Sequence, residues 1–504
     1  MMTSLTESRN MVALVQAAST LPIMGFALLA GALADNVDRR RLMLVAQVFM
    51  LVVSVVLTVF TLTGAMTPWL LLAFTFLIGC GTALHNPSWQ ASMGDIVARA
   101  DLPSAVSLNS MGFNLMRSVG PAIGGLIVAV AGAAVAFAVN AASYVTLIIA
   151  LARWAPGYPA RTLPREGMGR AVTAGLRYVL MSPNLINVMF RGFLFGASAV
   201  SVLALLPLVA RNLLEGTALT YGVLLGFFGV GAIFGALSNV RLRLRFRNEM
   251  ITRGAFIGFA ASVVALALSR EIWISSLALL LAGSCWVLAM SLFNVTVQLS
   301  TPRWVVGRAI ALYQTATFGG MTGGSWLWGV LADSYGSDRA LLASGAALMV
   351  GSFVGIWVGL PEYGNIDLDP LDRFSEPALR LDLANRSGPI MIMVDYEIDQ
   401  QDVVPFLAAM ADQRRVRLRD GARQWALLRD LENPRIWTES YHVPTWVEYV
   451  RHHQRRTKSD AETTDRLRAL HRGAEPPRVH RMIERQTIVA RDDMPIREYP
   501  EIMH

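Results

Sequence analysis

Residues 31–41 read GALADNVDRRR and end an apolar stretch, and residues 235–247, which read GALSNVRLRLRFR, end another. The two stretches are offset by 204 residues, and three pairs of glycines share that offset: Gly120 and Gly324, Gly125 and Gly329, and Gly132 and Gly336. Internal repeats are common in integral membrane proteins, so the sequence predicts a duplicated one. The stretch 184–210 belongs to the second copy and its partner would precede residue 1. We therefore expect one spanning segment of the first copy to be absent.

Charge and hydropathy divide the chain into two parts. Residues 1–360 hold 22 arginines and 11 acidic residues, whereas residues 361–504 hold 22 basic and 25 acidic residues. The first part is predicted to be an integral membrane domain and the second to be water-soluble. Membrane topology accounts for the excess arginine, so no binding to nucleic acid is expected. The two cysteines, Cys80 and Cys285, lie in apolar stretches, which excludes a disulfide framework.

Eleven apolar stretches have the length of roughly 20 residues that a membrane-spanning helix needs. They are 11–34, 42–64, 68–93, 105–131, 133–153, 184–210, 219–240, 251–269, 272–299, 305–331 and 338–360. Sixteen arginines lie in one set of connections, and only Arg9, Arg211, Arg270 and Arg339 lie in the other. Because cytoplasmic connections are enriched in Lys and Arg, the first set is predicted to be cytoplasmic. The prediction is a multi-pass protein of the cell membrane with an external N-terminus and a cytoplasmic C-terminus.

The turn at residues 31–41 resembles the cytoplasmic signature loop of the major facilitator superfamily, which pairs a helix-end glycine and an aspartate with a basic cluster. Gly31 lets neighbouring helices approach, and Asp35 can accept charge-assisted hydrogen bonds from Arg39 or Arg40. Such a latch can hold one conformation and break in another; alternatively, the turn is a topology anchor with a helix cap. The second copy has Asn239 in place of the acid, so a switching latch is expected in the first half.

A second motif, NLMRSVGPAIGG at residues 114–125, resembles the glycine-proline signature of the superfamily's exporters. Close packing at Gly120 and a kink at Pro121 suit a rocking bundle, and a generic seam of small residues is the alternative. With ALHNPSWQ at 83–90 and LLPLVAR at 205–211, the motifs are most similar to the enterobactin-exporter-like group, also called transmembrane secretion effectors. The resemblance implies the major facilitator fold, all-α and polytopic, with eleven of its twelve helices.

Two arginines, Arg117 and Arg191, lie near the middle of predicted spans, where a charge is costly and is a functional hypothesis by default. Either they bind substrate in a central cavity, or helix-end carbonyls satisfy them and they position their helices. Asn114, Gln16 and His85 are further candidates for substrate contact, although His85 can equally be a packing residue. No Asp or Glu lies mid-span, so no carboxylate for proton coupling is visible.

The tail is predicted to carry strands at 390–398, 424–430, 435–443 and 481–489, with helices at 401–418 and 445–470. This βαββαβ order is ferredoxin-like and resembles the α+β domains of the antibiotic-biosynthesis monooxygenase type. Trp425, Tyr441 and Trp446 either line a small pocket or pack in a core. The adjacent His452 and His453 point about 100° apart on a helix, so they cannot easily bind one metal together. With the neighbouring Arg451, Arg455 and Arg456 they are expected to form a solvated basic face. No metal site, catalytic nucleophile or cofactor is predicted.

The predicted organisation is a helix bundle at 1–153, a cytoplasmic loop at 154–183, a second bundle at 184–360, a linker at 361–387, a soluble α+β domain at 388–490 and a tail at 491–504. Within the loop, 167–180 forms either an amphipathic helix with Arg170 and Arg177 facing water or part of a plain linker. The predicted function is proton-coupled export of a small amphipathic molecule, a siderophore, drug or secondary metabolite, by alternating access. The chain is not expected to be an enzyme. The alternative is a monooxygenase tail on a bundle that does not transport. Self-association through the α+β domain is a further expectation.

Overall fold

The computed structural model describes residues 1–6, 8–36, 38–96, 102–155, 167–302, 304–362, 368, 371, 377, 379–381, 383–384 and 386–484. Some helical residues inside these ranges have described backbones only, and five of the predicted site residues are among them: Gly31, Asp35, Asn114, Arg117 and Pro121. The predicted linker lies largely outside the described residues, and the tail at 491–504 lies wholly outside them.

Residues 1–360 of the described chain are almost entirely helical. The helices are α1 (Met2–Leu5), α2 (Arg9–Asn36), α3 (Arg39–Leu62), α4 (Pro68–Ile96), α5 (Leu102–Arg153), α6 (Met168–Leu180), α7 (Pro183–Leu208), α8 (Ala218–Arg245), α9 (Asn248–Leu268), α10 (Ile272–Leu299), α11 (Val306–Tyr335) and α12 (Ser337–Val354). A π-helical turn, Val209–Leu213, extends α7. Each of the eleven predicted stretches falls mainly within one of these helices.

Seven segments among the described residues are long and apolar enough to cross a membrane. They are Arg39–Leu62, Pro68–Asn86, Ile123–Arg153, Pro183–Leu213, Leu219–Asn239, Asn248–Leu268 and Ile272–Leu299. Helices α2, α11 and α12 are not in this set, and α2 and α11 pack against each other. The count of eleven spans stays a prediction.

The duplication is visible in the backbone at Gly132 and Gly336, which are 204 residues apart. Gly132 has φ +83° and ψ 168°, and Gly336 has φ +97° and ψ 154°. Residues other than glycine rarely adopt this region, so both copies use a glycine at the same break between helices. The break divides α5 into the two predicted stretches 105–131 and 133–153, and its equivalent separates α11 from α12.

Helix packing repeats in the same way. In the first copy, α2 packs on α4, and α3 packs on α4 and α5. The equivalent pairs in the second copy are α8 on α10, and α9 on α10 and α12. The two halves, α2–α5 and α7–α12, meet mainly along two seams, α2 with α11 and α5 with α8, and α2 also contacts α7. The second half has an aromatic centre in which the rings of Phe256, Phe259, Trp286 and Phe293 surround Phe195, with centroids 4.9 to 6.4 Å from it. These side chains are buried and fix α7 against α9 and α10.

Residues 390–483, called here the C-terminal unit, form a separate core around a small sheet. Its elements are β1 (Ile390–Glu397), α13 (Val403–Asp420), β2 (Arg423–Arg429), β3 (Ile436–Val443), α14 (Trp446–Gln454), α15 (Lys458–Leu470) and β4 (Arg478–Ile483). The strand order is β2-β3-β1-β4, and every neighbouring pair is antiparallel. Alternate residues of β1 are buried, so one face of the sheet carries the core.

Two details of this unit differ from the sequence prediction. The stretch 445–470 forms two helices rather than one, because Thr457 starts α15 with a capping box that includes Asp460. The last strand begins at Arg478, three residues before its predicted start. The predicted residues 485–489 of that strand lie outside the described residues.

Candidate transport site and signature loops

The seam between α2 and α11 joins the two halves by polar contacts. The hydroxyls of Thr20 and Thr322 are 2.7 Å apart near the middle of both helices. At one end, the Asp333 carboxylate accepts a hydrogen bond from the backbone N–H of Asn10 at 3.0 Å and from the Ser8 hydroxyl at 3.3 Å. Because a helix N-terminus favours negative charge, Asp333 at the end of α11 caps α2 in the other half. Asp333 was not among the predicted site residues, and its only signal in the sequence is an acid at the end of a predicted span.

The opposite end of the bundle, called here the arginine-rich end, contains the α2–α3, α8–α9 and α10–α11 turns. In the first copy of the signature loop, Asp38 accepts from the backbone N–H of Arg40 at 2.9 Å and begins α3. The Arg40 guanidinium donates to the carbonyls of Leu151 at 2.8 Å and Ala152 at 2.6 Å. Arg40 therefore ties the start of α3 to the last turn of α5, where the helix dipole favours a cation. The side chain of Asp35 lies outside the described residues, so the latch stays a prediction.

The second copy of the loop uses an amide where the first has an acid. Asn239 accepts from Arg243 Nε at 2.9 Å and donates to the Ser291 hydroxyl at 2.8 Å, which links α8 to α10. Arg243 is the counterpart of Arg39 at the offset of 204 residues. This arrangement anchors neighbouring helices of one half without an acidic side chain.

Arg191 is fully buried and is surrounded by protein groups. Its guanidinium donates to the Gly351 carbonyl at 2.8 Å, lies 3.4 Å from the Glu249 carboxylate and stacks 4.9 Å from the centre of the Phe256 ring. Glu249 lies in the first turn of α9 at the arginine-rich end and also pairs with Arg253 at 3.1 Å. These contacts join α7 to α9 and α12, which is what the helix-positioning alternative for Arg191 expects.

Two other predicted contacts lie in the first half. His85 Nδ1 is 3.2 Å from the Gln47 amide nitrogen, and because that amide can only donate, Nδ1 accepts. The His85 ring also stacks on Trp89 with centroids 6.4 Å apart. Gln16 is half-buried on α2, and its backbone carbonyl accepts from the Ser19 and Thr20 hydroxyls. The side chains of Asn114, Arg117 and Pro121 lie outside the described residues.

The glycine seam differs between the halves. A Cβ added at Gly324 would collide with the backbone oxygen of Ala197, so that glycine lets α11 approach α7. Gly120 is its counterpart at the offset of 204 residues, and a Cβ there would meet no described atom within 4 Å. Close packing at Gly120 is therefore not seen among the described residues.

The C-terminal unit has a buried polar cluster on the helix-covered face of its sheet. Arg417 Nε donates to the Glu439 carboxylate at 3.1 Å, and Trp425 Nε1 donates to the same carboxylate at 3.0 Å. Arg417 also stacks 4.5 Å from the centre of the Tyr441 ring. Tyr441 and Trp446 are buried in the core, and Trp425 packs against it, so these aromatic residues act as core rather than as pocket lining.

The prediction of a solvated basic face at the paired histidines is wrong. His452 is 2% exposed, and its Nε2 lies 3.3 Å from Arg417 Nη1. His453 Nδ1 donates to the Tyr449 carbonyl at 3.0 Å. Burial lowers the pKa of His452 well below its usual value and lowers the pKa of His453 to about 3, so both rings are neutral. The reason is that α14 turns this face onto the cluster around Arg417, which the helix period alone does not reveal.

The C-terminal unit contacts the arginine-rich end of the bundle through α6. The amphipathic helix predicted at 167–180 is present as α6, and it buries Ala171, Ala174, Tyr178 and Val179. Arg177 Nε donates to the Arg419 carbonyl at 3.2 Å, so Arg177 faces the C-terminal unit rather than water. Burial raises the pKa of Asp420, the neighbour of Arg419, to about 6.

Comparison with known proteins identifies the family. The profile of a family described as transmembrane secretion effector matches residues 1–487. The chain belongs to this family. Its members and the relatives found here are transporters of the major facilitator superfamily, not enzymes, and the chain is an integral multi-pass membrane protein.

Several curated relatives of this transmembrane secretion effector are exporters or transporters by name. The multidrug efflux pump Tap of Mycolicibacterium fortuitum is 24% identical over 371 residues, which cover 70% of this chain and 88% of Tap. The enterobactin exporter EntS of Escherichia coli is 28% identical over 335 residues, which cover 64% of this chain and 77% of EntS. The staphyloferrin A transporter of Staphylococcus aureus is 27% identical over 220 residues, or 43% of this chain and 55% of that protein.

Solved structures show the same fold at low sequence identity. A crystal structure of the nucleoside transporter NupG has a TM-score of 0.57 and 11% identity, and covers 71% of this chain and 93% of that chain. The human organic anion transporter MFSD10 has a TM-score of 0.50 and 15% identity, and covers 68% of this chain and 83% of that chain. The bundle therefore has the fold of major facilitator transporters.

Proposed function

We propose that this protein exports a small amphipathic molecule from the cytoplasm by alternating access, in exchange for protons. The observation that carries the proposal is the pair of repeated halves, which meet mainly along α2–α11 and α5–α8 among the described residues and can rock about those seams. The names of the relatives support export of a siderophore, a drug or a secondary metabolite.

The proposed topology follows from the arginine count. The turns of the arginine-rich end are cytoplasmic in this proposal, and the eleven spans cross the plasma membrane. The C-terminal unit contacts that same end through α6, so it is cytoplasmic as well. Its strand order and its succession of strands and helices support a ferredoxin-like domain at 388–490, through which copies of the chain can associate.

The residues proposed to contact substrate all come from the first half of the chain. Arg117, with Asn114 beside it on α5, is proposed to bind an anionic or hydrogen-bond-accepting group, and Gln16 on α2 is proposed to assist. His85 is the titratable side chain proposed for proton coupling. Arg191 is assigned here to helix positioning, because its described partners are protein groups.

Export is tested by expressing the chain in bacteria that lack their own efflux pumps and measuring accumulation of ethidium and secretion of enterobactin. We expect Arg117→Gln to lose export of at least one probe at normal membrane abundance, and the matched Arg270→Gln, in a turn at the other end of the bundle, to keep it. Collapse of the proton gradient is expected to stop export. Export of neither probe by the unaltered chain would refute the proposed substrate classes, and equal export by both variants would remove Arg117 from the site.

A further inference from the structure

The arginine-rich end presents two aromatic rings to the C-terminal unit. Tyr178 on α6 and Trp304 in the α10–α11 turn meet edge to face, with ring centroids 5.6 Å apart. Helix α6 lies close against the start of α11, since a Cβ added at Gly175 would be 2.8 Å from Arg308 Cβ. The two rings therefore form one surface made by the connection between the halves and by the second half.

The C-terminal unit places one arginine on each ring. Arg419, at the end of α13, stacks 5.0 Å from the centre of Tyr178, and Arg455, between α14 and α15, stacks 4.2 Å from the centre of Trp304. Arg177 of α6 closes the contact by donating to the Arg419 carbonyl at 3.2 Å. Among the described residues, cation–π contacts, this hydrogen bond and an ion pair between Arg170 and Glu448 join the two parts, and polar contacts of this kind suit an interface that opens and closes.

Arg419 is held in place within its own unit. Its Nη2 lies 3.0 Å from both carboxylate oxygens of Asp460, and its Nε lies 3.0 Å from the Asp420 carboxylate. Asp460 is fixed in turn by the Thr457 hydroxyl at 2.8 Å. A guanidinium that is already oriented loses little conformational entropy when it docks, so Arg419 is preorganised to contact Tyr178.

Helix α6 is positioned to sense the relative movement of the halves. It lies beside α2 of the first half and beside α7 and α11 of the second half. In rocking of the two halves, these neighbours move apart or together at the arginine-rich end. Any part that binds α6 and α11 in one arrangement only will shift the equilibrium toward that arrangement.

We propose that the C-terminal unit is an autoinhibitory clamp, which docks through Arg419 and Arg455 on Tyr178 and Trp304 and slows transport by holding α6 against α11. The inference rests on the proposed export function. Undocking releases α6 and allows the halves to exchange conformations faster. The clamp gives the C-terminal unit a role that needs no chemistry of its own.

The first experiment locks the clamp. Arg170 on α6 and Glu448 on α14 lie at the rim of the contact, with Nη1 and Oε1 3.9 Å apart. In a full-length chain with Cys80→Ala and Cys285→Ala, Arg170→Cys and Glu448→Cys are joined by a short bifunctional thiol reagent. We expect a high yield of the crosslink and a fall in ethidium export of at least fivefold, with no fall in either single-cysteine chain. A crosslinked chain that exports at the full rate would overturn the proposal, as would failure of the crosslink to form.

The second experiment releases the clamp. Arg455→Gln removes the contact with Trp304, and Arg435→Gln is the matched control, because Arg435 is half-exposed and pairs with Asp399 in its own unit. We expect Arg455→Gln to lower the crosslink yield and to raise ethidium export about twofold, and Arg435→Gln to change neither. Unchanged yield and export in Arg455→Gln would contradict the clamp. If the crosslink forms but no chain exports either probe, both the export function and the clamp are refuted. If export is normal and the crosslink does not change it, only the clamp is refuted.

Discussion

Replacement of Arg191 by methionine tests whether this buried arginine positions helices or binds substrate. The change keeps a long side chain but removes the guanidinium that joins α7 to α9 and α12 through Glu249, Gly351 and Phe256. If the described contacts are its role, the variant loses stability, and transport falls only as far as abundance falls. If Arg191 binds substrate, transport falls and stability does not.

The expected loss follows from the contacts. The variant leaves the Gly351 carbonyl buried without its partner, which costs about 1–3 kcal/mol of folding stability. Loss of the stacking on Phe256 costs about 1 kcal/mol more. Glu249 keeps Arg253 at 3.1 Å and still accepts from the Leu360 N–H, so the full cost of an unpaired buried charge, about 3–5 kcal/mol, does not apply. Arg191 Nε has no hydrogen-bond partner among the described atoms, and its removal offsets part of the loss. We expect a net loss of roughly 2–3 kcal/mol.

The assay is thermal denaturation of the purified full-length chain in detergent, followed by the fraction that stays monodisperse, together with ethidium export normalised to membrane abundance. The matched control is Arg253→Met, which removes a half-exposed partner of the same carboxylate and should cost under about 1 kcal/mol. A double variant, Arg191→Met with Glu249→Gln, should recover part of the loss, because it no longer leaves a carboxylate beside an apolar side chain. Undiminished thermal stability of Arg191→Met combined with lost export would refute the reasoning and return Arg191 to the substrate site.

Three further predictions each concern one residue. Asp333→Ala removes the cap that α11 places on α2, and we expect a loss of about 0.5–2 kcal/mol in thermal denaturation, whereas Asp338→Ala should have a smaller effect; equal effects would argue against the cap. Gly336→Ala places a side chain in a backbone region that only glycine adopts readily, and we expect it to lower the free energy of unfolding by about 1–3 kcal/mol. The control is Gly254→Ala, where an added Cβ meets nothing within 4 Å, and it should be neutral or stabilising. The pKa of His453 is about 3 in the folded chain and near 6.5 in the unfolded chain, so its stabilising effect is present above pH 6.5 and is lost as the pH falls. The stability difference between the unaltered chain and His453→Gln, measured by hydrogen exchange of α14 in the full-length chain, should therefore shrink by about 2 kcal/mol from pH 7 to pH 5. A constant difference would show that His453 is not buried in its neutral form.

The pH dependence of stability has the opposite sign at Asp420. Burial raises its pKa to about 6 in the folded chain, above the unfolded value of 3.8, so its contribution to stability is present at low pH and is lost as the pH rises through 6. Acidification therefore strengthens the unit at Asp420 and weakens it at the two histidines. This opposition is why the histidine effect is measured as a difference between two chains.

The helices, the duplication and the βαββαβ succession could be read from the sequence because their signals are local. An apolar run of about 20 residues has few alternatives to a helix in a membrane, and Gly132 and Gly336 mark the same break in both copies because few other residues adopt that backbone. Strand β1 of the C-terminal unit was also predicted closely, since alternation of buried residues is typical of a strand with one buried face.

Partners distant in the sequence required the tertiary structure. Arg191 finds Glu249 and Gly351, Arg40 finds Leu151 and Ala152, and His452 is buried beside Arg417. The period of a helix shows which residues share a face, but not which neighbour that face meets. The docking of Arg419 and Arg455 on Tyr178 and Trp304 depends further on how two separately folded cores lie against each other. Sequence alone thus determined the elements and their repeat, and packing decided which charges serve structure and which side chains form the contact between the bundle and the C-terminal unit.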